Sequence, residues 1–302
     1  MDSFDIGRFR VHRIEEWQGR FAPPEHLLHG FEPEAYGTWA AGFEPDFVRD
    51  GLIYGFLQSW LIEADGVRIL YDTGAGNAKE RPAIPIFGNL DSDFLGNLAR
   101  AGCRPEDIDI VICSHLHIDH VGWNTTLVDG QWVPTFPKAR YLLPAVDREF
   151  WDPSDAVRYA RARGAEVNSG VFEDSVQPIL DSGRAVLVED GHRVVRGVSL
   201  HAGPGHTPGH MVLKVVDGGE CALFVGDILH HPMQVYRPDW NSVYCEDRDQ
   251  ARATRLRILA EAADTGARVV PAHFGGDHFI WVAREGDGFR PIYRREAADA
   301  QA

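Results

Sequence analysis

Residues 114–120 read Ser114-His115-Leu116-His117-Ile118-Asp119-His120, and the six residues before them, Ile108-Asp109-Ile110-Val111-Ile112-Cys113, are almost all apolar or β-branched. The first stretch is a His-x-His-x-Asp-His pattern, and the second has the composition of a buried strand. A strand that ends where three imidazoles and a carboxylate begin is a metal-ligand platform. Nitrogen and carboxylate donors suit zinc, iron or manganese, whereas calcium or magnesium cages are built from oxygen. With 14 His in 302 residues, this spacing arises by chance in on the order of one chain in several hundred. Alternate side chains of an extended segment share a face, so His115 and His117 can reach one metal while Asp119 and His120 turn toward a second.

The same strand-then-loop punctuation recurs outward from this run. Val67–Tyr71, Arg140–Leu143, Met211–Val216, Cys221–Val225 and Arg268–Val270 are apolar stretches of strand length bounded by Gly, Pro or Asp. Helical periodicity lies between them. It is clearest over Asp247–Thr265, with an expected apolar stripe of Leu256, Leu259, Ala260 and Ala263, Asp247 and Gln250 as a capping box and Gly266 as the C-terminal cap. A second helix is expected over Ser92–Ala101, stopped by Gly102. Alternating strands and helices predict sheets covered by helices. The stretch at about 20–56 differs, scattering Phe21, Phe31, Tyr36, Trp39, Phe43, Phe47, Tyr54 and Phe56 among Gly and Pro. It reads as an irregular N-terminal aromatic arm that covers one end of the core, lines a substrate pocket or forms a dimer contact.

Composition narrows the partners. At 302 residues and 44% hydrophobic content the chain can bury a large core, and we expect one domain over 1–302. The 45 acidic and 30 basic residues give a net charge of −15, which opposes nucleic acid and anionic membrane surfaces and leaves a small-molecule substrate as the expected partner. Cys103, Cys113, Cys221 and Cys245 form no C-x-x-C pair, so reduced thiols in the cytoplasm are expected. No secretory signal and no membrane span are expected, because the apolar runs fall far short of the ~20 residues a spanning helix needs.

Three further residues occupy strand-end contexts. His206 stands in Gly203-Pro204-Gly205-His206-Thr207-Pro208-Gly209-His210, Asp227 follows Ala222-Leu223-Phe224-Val225-Gly226, and His273 follows Arg268-Val269-Val270-Pro271-Ala272. Singly each reads as readily as a turn or capping residue. Together with Asp72-Thr73-Gly74 and the 115–120 run, their order resembles the motif set of the metallo-β-lactamase superfamily over roughly residues 57–275. The resemblance implies an α/β (α+β) fold, an αββα sandwich of two mixed β-sheets flanked by helices. It implies His115, His117 and His206 on one metal, Asp119, His120 and His273 on the other, and Asp227 bridging them. Asp72 would support the ligand loop by hydrogen bonds, and His210 would bind no metal. Two divalent metal ions per chain follow, with Zn2+ the default and Fe, Mn or Co accepted by the same donors.

Such a dinuclear pair lowers the pKa of a shared water from ~15.7 toward ~7 and makes it the nucleophile. Asp119 is then the residue placed to relay a proton to the leaving alkoxide. In the acyl-homoserine lactonases of the superfamily a tyrosine follows the bridging aspartate by about three residues. Here that place is His230, which resembles instead the methyl-parathion-hydrolase branch. The expected role of His230 is a hydrogen bond to substrate; the alternative is a turn residue beside His231 and Pro232. The expected activity is hydrolysis of lactone, ester or phosphotriester bonds, acyl-homoserine-lactonase-like or aryl-esterase-like, on a hydrophobic substrate, by a homodimer. Trp123 is either a pocket wall or a core residue.

Alternatives are weaker on particular residues. The common zinc β-lactamases lack an aspartate at the place of Asp227. A glyoxalase II-like thioesterase would continue into a helical glutathione-binding domain, and only 29 residues follow His273. Flavodiiron proteins carry Glu where this chain has His117. A non-catalytic metal-binding sensor or scaffold is disfavoured by the complete ligand set, and a closed structural zinc site by the lack of cysteine ligands.

Overall fold

The strand Leu52–Ala64 is buried on both faces, and its two rows of side chains organise the molecule. Trp60, Ile62 and Ala64 point into one apolar cluster, Leu57 and Leu61 into another. A strand covered on both sides is the centre of a layered fold. The computed structural model describes residues 3–293.

The first sheet runs in the order Ser3–Ile6, Phe9–Arg20, Leu52–Ala64, Val67–Tyr71, Ile110–Ile112, Arg140–Pro144, Ala185–Val188. Its first three pairings are antiparallel and its last three parallel. The second sheet runs Arg193–Val195, Val198–Ala202, Met211–Asp217, Glu220–Gly226, Arg268–Pro271, antiparallel except for the last, parallel pair. Both sheets are therefore mixed.

Period-two alternation dictates how they stack. Ile110 and Ile112 face the second sheet while Val111 faces outward; Met211, Leu213 and Val215 face back while Val212 points away. Tyr71 carries a hydrogen bond across the interior, its hydroxyl donating to the Phe224 carbonyl at 3.1 Å. The outer face of the first sheet is covered by the helix Phe94–Arg100 and its loops, that of the second by the helix Arg248–Thr265 and the aromatic arm. The result is the expected αββα sandwich.

Local expectations fare unevenly. Val67–Tyr71 matches, and the other strands shift at their ends. The ladder expected from Ile108 begins at Ile110 because a Pro105 turn holds the Ile108 amide and Asp109 pairs outside the ladder with Arg68. The helix expected from Ser92 begins at Phe94, since the Ser92 amide is taken by Asn77 Oδ1 at 2.8 Å. Asp247 caps the long helix by accepting from the Gln250 amide, and Gly266 closes it at φ 67°. Its buried face is not the expected stripe. Ala251, Thr254, Arg255, Ile258, Leu259 and Ala262 are buried, while Leu256, Ala260 and Ala263 are only partly so. The rotation is fixed by Arg255, fully buried and donating to the carbonyls of Ile228 and Pro238 and to Asn241 Oδ1.

The aromatic arm is irregular only between two long strands. Phe9–Arg20 and Leu52–Ala64 pair along their length, with Arg20, Gly19 and Gln18 opposite Tyr54, Gly55 and Phe56. Both strands escape a reading by apolar runs because charged residues, glycines and aromatics alternate along them. Between them, Leu27, Leu28, Phe43, Phe47 and Val48 are buried against the second sheet.

Candidate metal centre

Each ligand loop leaves a strand end of the sandwich at the same edge. The strand Ile110–Ile112 feeds 115–120, Val198–Ala202 feeds His206, Glu220–Gly226 feeds Asp227, and Arg268–Pro271 feeds His273. Chain reversals then gather the side chains. The 115–120 stretch is not extended throughout, because the His120 amide donates to the His117 carbonyl at 3.1 Å and closes a turn. Asp227 depends on Gly226, which has φ 48° and where a Cβ would lie 2.6 Å from His210 Nε2. That same His210 nitrogen accepts the Asp227 amide at 3.2 Å, so His210 holds backbone rather than joining the ligand groups.

Two groups of potential ligand atoms result: His115, His117, His206 and Asp227 in one, Asp119, His120 and His273 in the other, with the atoms of each group within 4.8 Å of one another. Nδ1 of His117 faces Nε2 of His206 at 2.9 Å. The Asp227 carboxylate addresses both groups. Its Oδ2 lies 3.2 Å from His206 Nε2 and 3.9 Å from His115 Nε2, and its Oδ1 lies 3.2 Å from His120 Nε2 and 3.1 Å from His273 Nε2. Asp119 spans the second group, 3.6 Å from His120 Nε2 and 3.5 Å from His273 Nε2.

Buried polar atoms normally find a hydrogen bond. The Nε2 atoms of His115 and His120 and Oδ1 of Asp227 are buried without one. Imidazole nitrogens that converge in pairs, orphaned beside a carboxylate, are a donor set that fits divalent cations better than it fits an internal hydrogen-bond network.

The opposite side of each ring is anchored. Asp72, in the left-handed region at φ 55° that aspartate tolerates, accepts from the Ser114 amide at 2.7 Å, from the Ser114 hydroxyl at 2.9 Å and from His120 Nδ1 at 2.9 Å. His115 Nδ1 meets the Ser114 hydroxyl at 2.9 Å, and His273 Nδ1 the Phe56 carbonyl at 2.8 Å. Such anchors fix ring orientation and tautomer.

Electrostatics separates the imidazoles. Burial, reinforced by neighbouring rings, holds His115 and His117 well below the usual histidine range. Burial acts the same way on His206 and is outweighed by the charge of Asp227, which raises it to about 9. Burial opposes the charge of Asp227 too, but four surrounding imidazoles hold it well below the carboxylate range. His230, where burial prevails over Asp227, falls to about 4.

A cleft at the ligands is lined by the apolar residues Trp17, Phe21, Ile53, Phe56, Ile84 and Phe87 together with Asp119, Asp227, His230, Tyr244 and His273. Among the described residues none that lines it is Lys or Arg. His230 is one of the lining residues. It sits in a turn pinned by Gln234 Oε1, which accepts its amide at 2.7 Å, and it turns Nε2 to within 3.2 Å of Asp227 Oδ2 at the cleft floor. Trp123 does not line the cleft. It stacks on Phe94 in the core and donates to Glu16 at 2.7 Å.

Two carboxylates escape the sequence reading. Glu16 is buried and accepts from Ala75, Gly76 and Trp123, joining the first sheet to the Asp72 loop and to the segment after His120. Asp147 is wholly buried and accepts from Leu116, Thr207 and Gly209.

The model of the family described as the Metallo-beta-lactamase superfamily matches residues 55–273, and the chain belongs to that superfamily. An N-acyl homoserine lactonase of a Bacillus species is 29% identical over 168 residues, 52% of this chain and 56% of its own length. The N-acyl homoserine lactonase AiiB of Agrobacterium fabrum (strain C58 / ATCC 33970) is 30% identical over 173 residues, 53% of this chain and 57% of its own. The chain spans about half the length of the curated relatives it matches. Among solved structures, the hydrolase AbOPH of the beta lactamase superfamily superposes with a TM-score of 0.80 at 23% identity, covering 96% of both chains. AidC, a dizinc quorum-quenching lactonase in complex with a product, does so with a TM-score of 0.76 at 21% identity, again over 96% of both. At these identities the structural likeness speaks for the fold.

Proposed function

We propose that this member of the metallo-β-lactamase superfamily is a dinuclear metal-dependent hydrolase of uncharged lactones and esters that carry a hydrophobic group, with neutral phosphotriesters as a secondary substrate class. The observation that carries the reading is the Asp227 carboxylate, whose two oxygens each face a separate group of imidazoles beneath an apolar cleft. His115, His117 and His206 would hold one cation and Asp119, His120 and His273 the other, with Asp227 shared, and zinc is the resident metal we infer. When bound, two such cations supply an activated water and a Lewis acid for the substrate oxygen.

The remaining steps belong to the chain. Asp119 lies at the cleft floor, partly exposed, where a carboxylate can pass a proton to the departing alkoxide. His230 Nε2 borders the same floor, and its imidazole is kept neutral by burial, so it can donate one hydrogen bond to a substrate oxygen without adding charge. Phe21, Ile53 and Phe87 exclude water and bind the apolar part of the substrate.

The uncharged class is inferred from what surrounds the floor. A β-lactam or S-lactoylglutathione carries a carboxylate, and a site that recognises one presents Arg or Lys. Among the described residues the cleft lining includes no Arg or Lys to pair with that carboxylate, and its two aspartates belong to the ligand groups. That disfavours the β-lactamase and glyoxalase readings. The complete donor set beneath a cleft argues against a purely sensing role.

Three broader readings go with this one. The interior shared by the two sheets supports a single domain. Free cysteines, three of them buried, support a reducing, cytoplasmic setting. The part-exposed rings of Phe31 and Trp39 on the arm are the surface we assign to a homodimer contact. No helix among the described residues is long and apolar enough to cross a membrane.

The test is a hydrolysis panel on the zinc-loaded protein, comprising acyl-homoserine lactones of graded chain length, aryl esters, a paraoxon-type triester, a chromogenic cephalosporin and S-lactoylglutathione. The proposal expects turnover of the first two classes well above the last two. Preference for cephalosporin or S-lactoylglutathione would overturn it.

A further inference from the structure

Asp147 lies at the start of the helix Ala145–Phe150, directly after the strand Arg140–Pro144 of the first sheet. It is 0% exposed, and among the described residues no Lys or Arg pairs with it. A carboxylate in that position needs its oxygens fully engaged, and the three donors that engage them come from the loop that carries His115 and His117 and the loop that carries His206. Oδ2 accepts from the Leu116 amide at 3.0 Å and from the Thr207 hydroxyl at 2.8 Å; Oδ1 accepts from the Gly209 amide at 2.6 Å. Leu116 is the residue between His115 and His117, and Thr207 is the residue after His206.

Two further observations make this a built contact. The Leu116 peptide is held from its other side as well, its carbonyl accepting Asn168 Nδ2 at 2.9 Å. At Gly209 a Cβ would stand 2.4 Å from the Asp147 amide nitrogen, so only glycine lets the 206–210 loop approach this closely. The second ligand group has its own supports, Asp72 on His120 and the Phe56 carbonyl on His273, and none of them is Asp147.

We propose that Asp147 is a positioning residue specific to one half of the centre: it clamps the His115/His117 loop of the first sheet to the His206 loop of the second, and so sets the affinity of that half-site alone. The inference rests on the two-cation reading above. Without the clamp, the loops stay joined at their bases by the Met211 amide donating to the Ser114 carbonyl at 2.7 Å, but lose the contacts beside His117 Nδ1 and His206 Nε2, which lie 2.9 Å apart. The Asp119, His120, His273 set keeps its anchors.

The experiment is a chelator competition on zinc-loaded protein, reading zinc release per chain, repeated with cobalt so that the ligand-field absorption reports on geometry. Wild type releases two cations. In Asp147→Asn one cation is expected to leave at roughly 10- to 100-fold lower chelator, the other at the wild-type midpoint, with a changed cobalt spectrum for the first only. Thr207→Val, which deletes one of the three donors, is expected to shift the same step less. Two cations at wild-type midpoints in Asp147→Asn, or joint loss of both from a folded variant, overturns the proposal. If Asp147→Asn does not fold, Thr207→Val decides: a selective shift supports the clamp and an unshifted titration overturns it. Wild type that binds no zinc in the same titration refutes instead the metal-centre reading.

Discussion

His273 Nε2 and Asp227 Oδ1 lie 3.1 Å apart, one at the end of the strand Arg268–Pro271 and the other at the end of Glu220–Gly226, parallel neighbours in the second sheet. Their register brings His273 to one carboxylate oxygen of Asp227 while His206 addresses the other. Asp227→Asn preserves shape and removes the charge. The expected outcome is loss of metal from both halves and a fall in kcat/KM larger than the roughly 10- to 100-fold that loss of a supporting partner costs, read by metal analysis and ester kinetics on one preparation. Full activity with one retained metal would contradict a shared role.

His230→Ala is expected to lower kcat/KM about 10-fold, the loss of one hydrogen bond, while leaving two metals bound, because His230 lines the cleft yet stands outside both ligand groups. His230→Gln, which retains a donor, should recover part of the loss. Unchanged kinetics on every substrate of the panel would return His230 to its turn.

Chain-length dependence tests the apolar wall. Each methylene buried against Phe21, Ile53 or Phe87 contributes up to about 0.8 kcal/mol, so kcat/KM should rise by as much as about fourfold per carbon until the cleft is filled. Phe87→Ala should flatten that rise. Equal rates from short and long acyl groups would remove the pocket from the account.

Glu16 predicts a pH dependence of stability. Burial pushes its carboxyl up to about 7 despite hydrogen bonds from Ala75, Gly76 and Trp123, with Asp119 adding to the rise. A raised pKa means that the folded chain holds the proton more tightly than the unfolded one. The resulting stabilisation is complete below about pH 4.5, is lost as pH rises toward 7, and amounts to on the order of 3 kcal/mol. Urea unfolding of metal-stripped wild type and Glu16→Gln from pH 4.5 to 8 should show wild type losing stability relative to the variant over that interval. A constant difference between the two would assign Glu16 an ordinary carboxylate pKa.

What the sequence made legible follows from range. The 115–120 run, His206, Asp227 and His273 each stand where a short apolar strand meets a turn, a pattern contained within about ten residues, and the fold class follows from the same punctuation. Glu16 was hidden because its burial comes from an irregularity. The pairing of Phe9–Arg20 with Leu52–Ala64 shifts register between Glu15 and Trp17, and such a bulge re-aims a side chain that alternation alone does not place. Asp147 was hidden because its three donors lie 31, 60 and 62 residues away. Arg255 misled the helix reading for a related reason, since a charged residue is assigned to the solvent face until the carbonyls that receive it are known. Local pattern pointed to the residues that gather in the two candidate groups, and long-range hydrogen bonds place Glu16, Asp147 and Arg255.

The most direct measurement of the central claim is zinc titration of chelator-stripped protein, following hydrolysis of an acyl-homoserine lactone or aryl ester alongside bound metal. The account predicts two zinc ions per chain, with activity absent in the stripped protein and restored as the second site fills. Hydrolysis that persists in the stripped protein, or no stoichiometric binding, would contradict it.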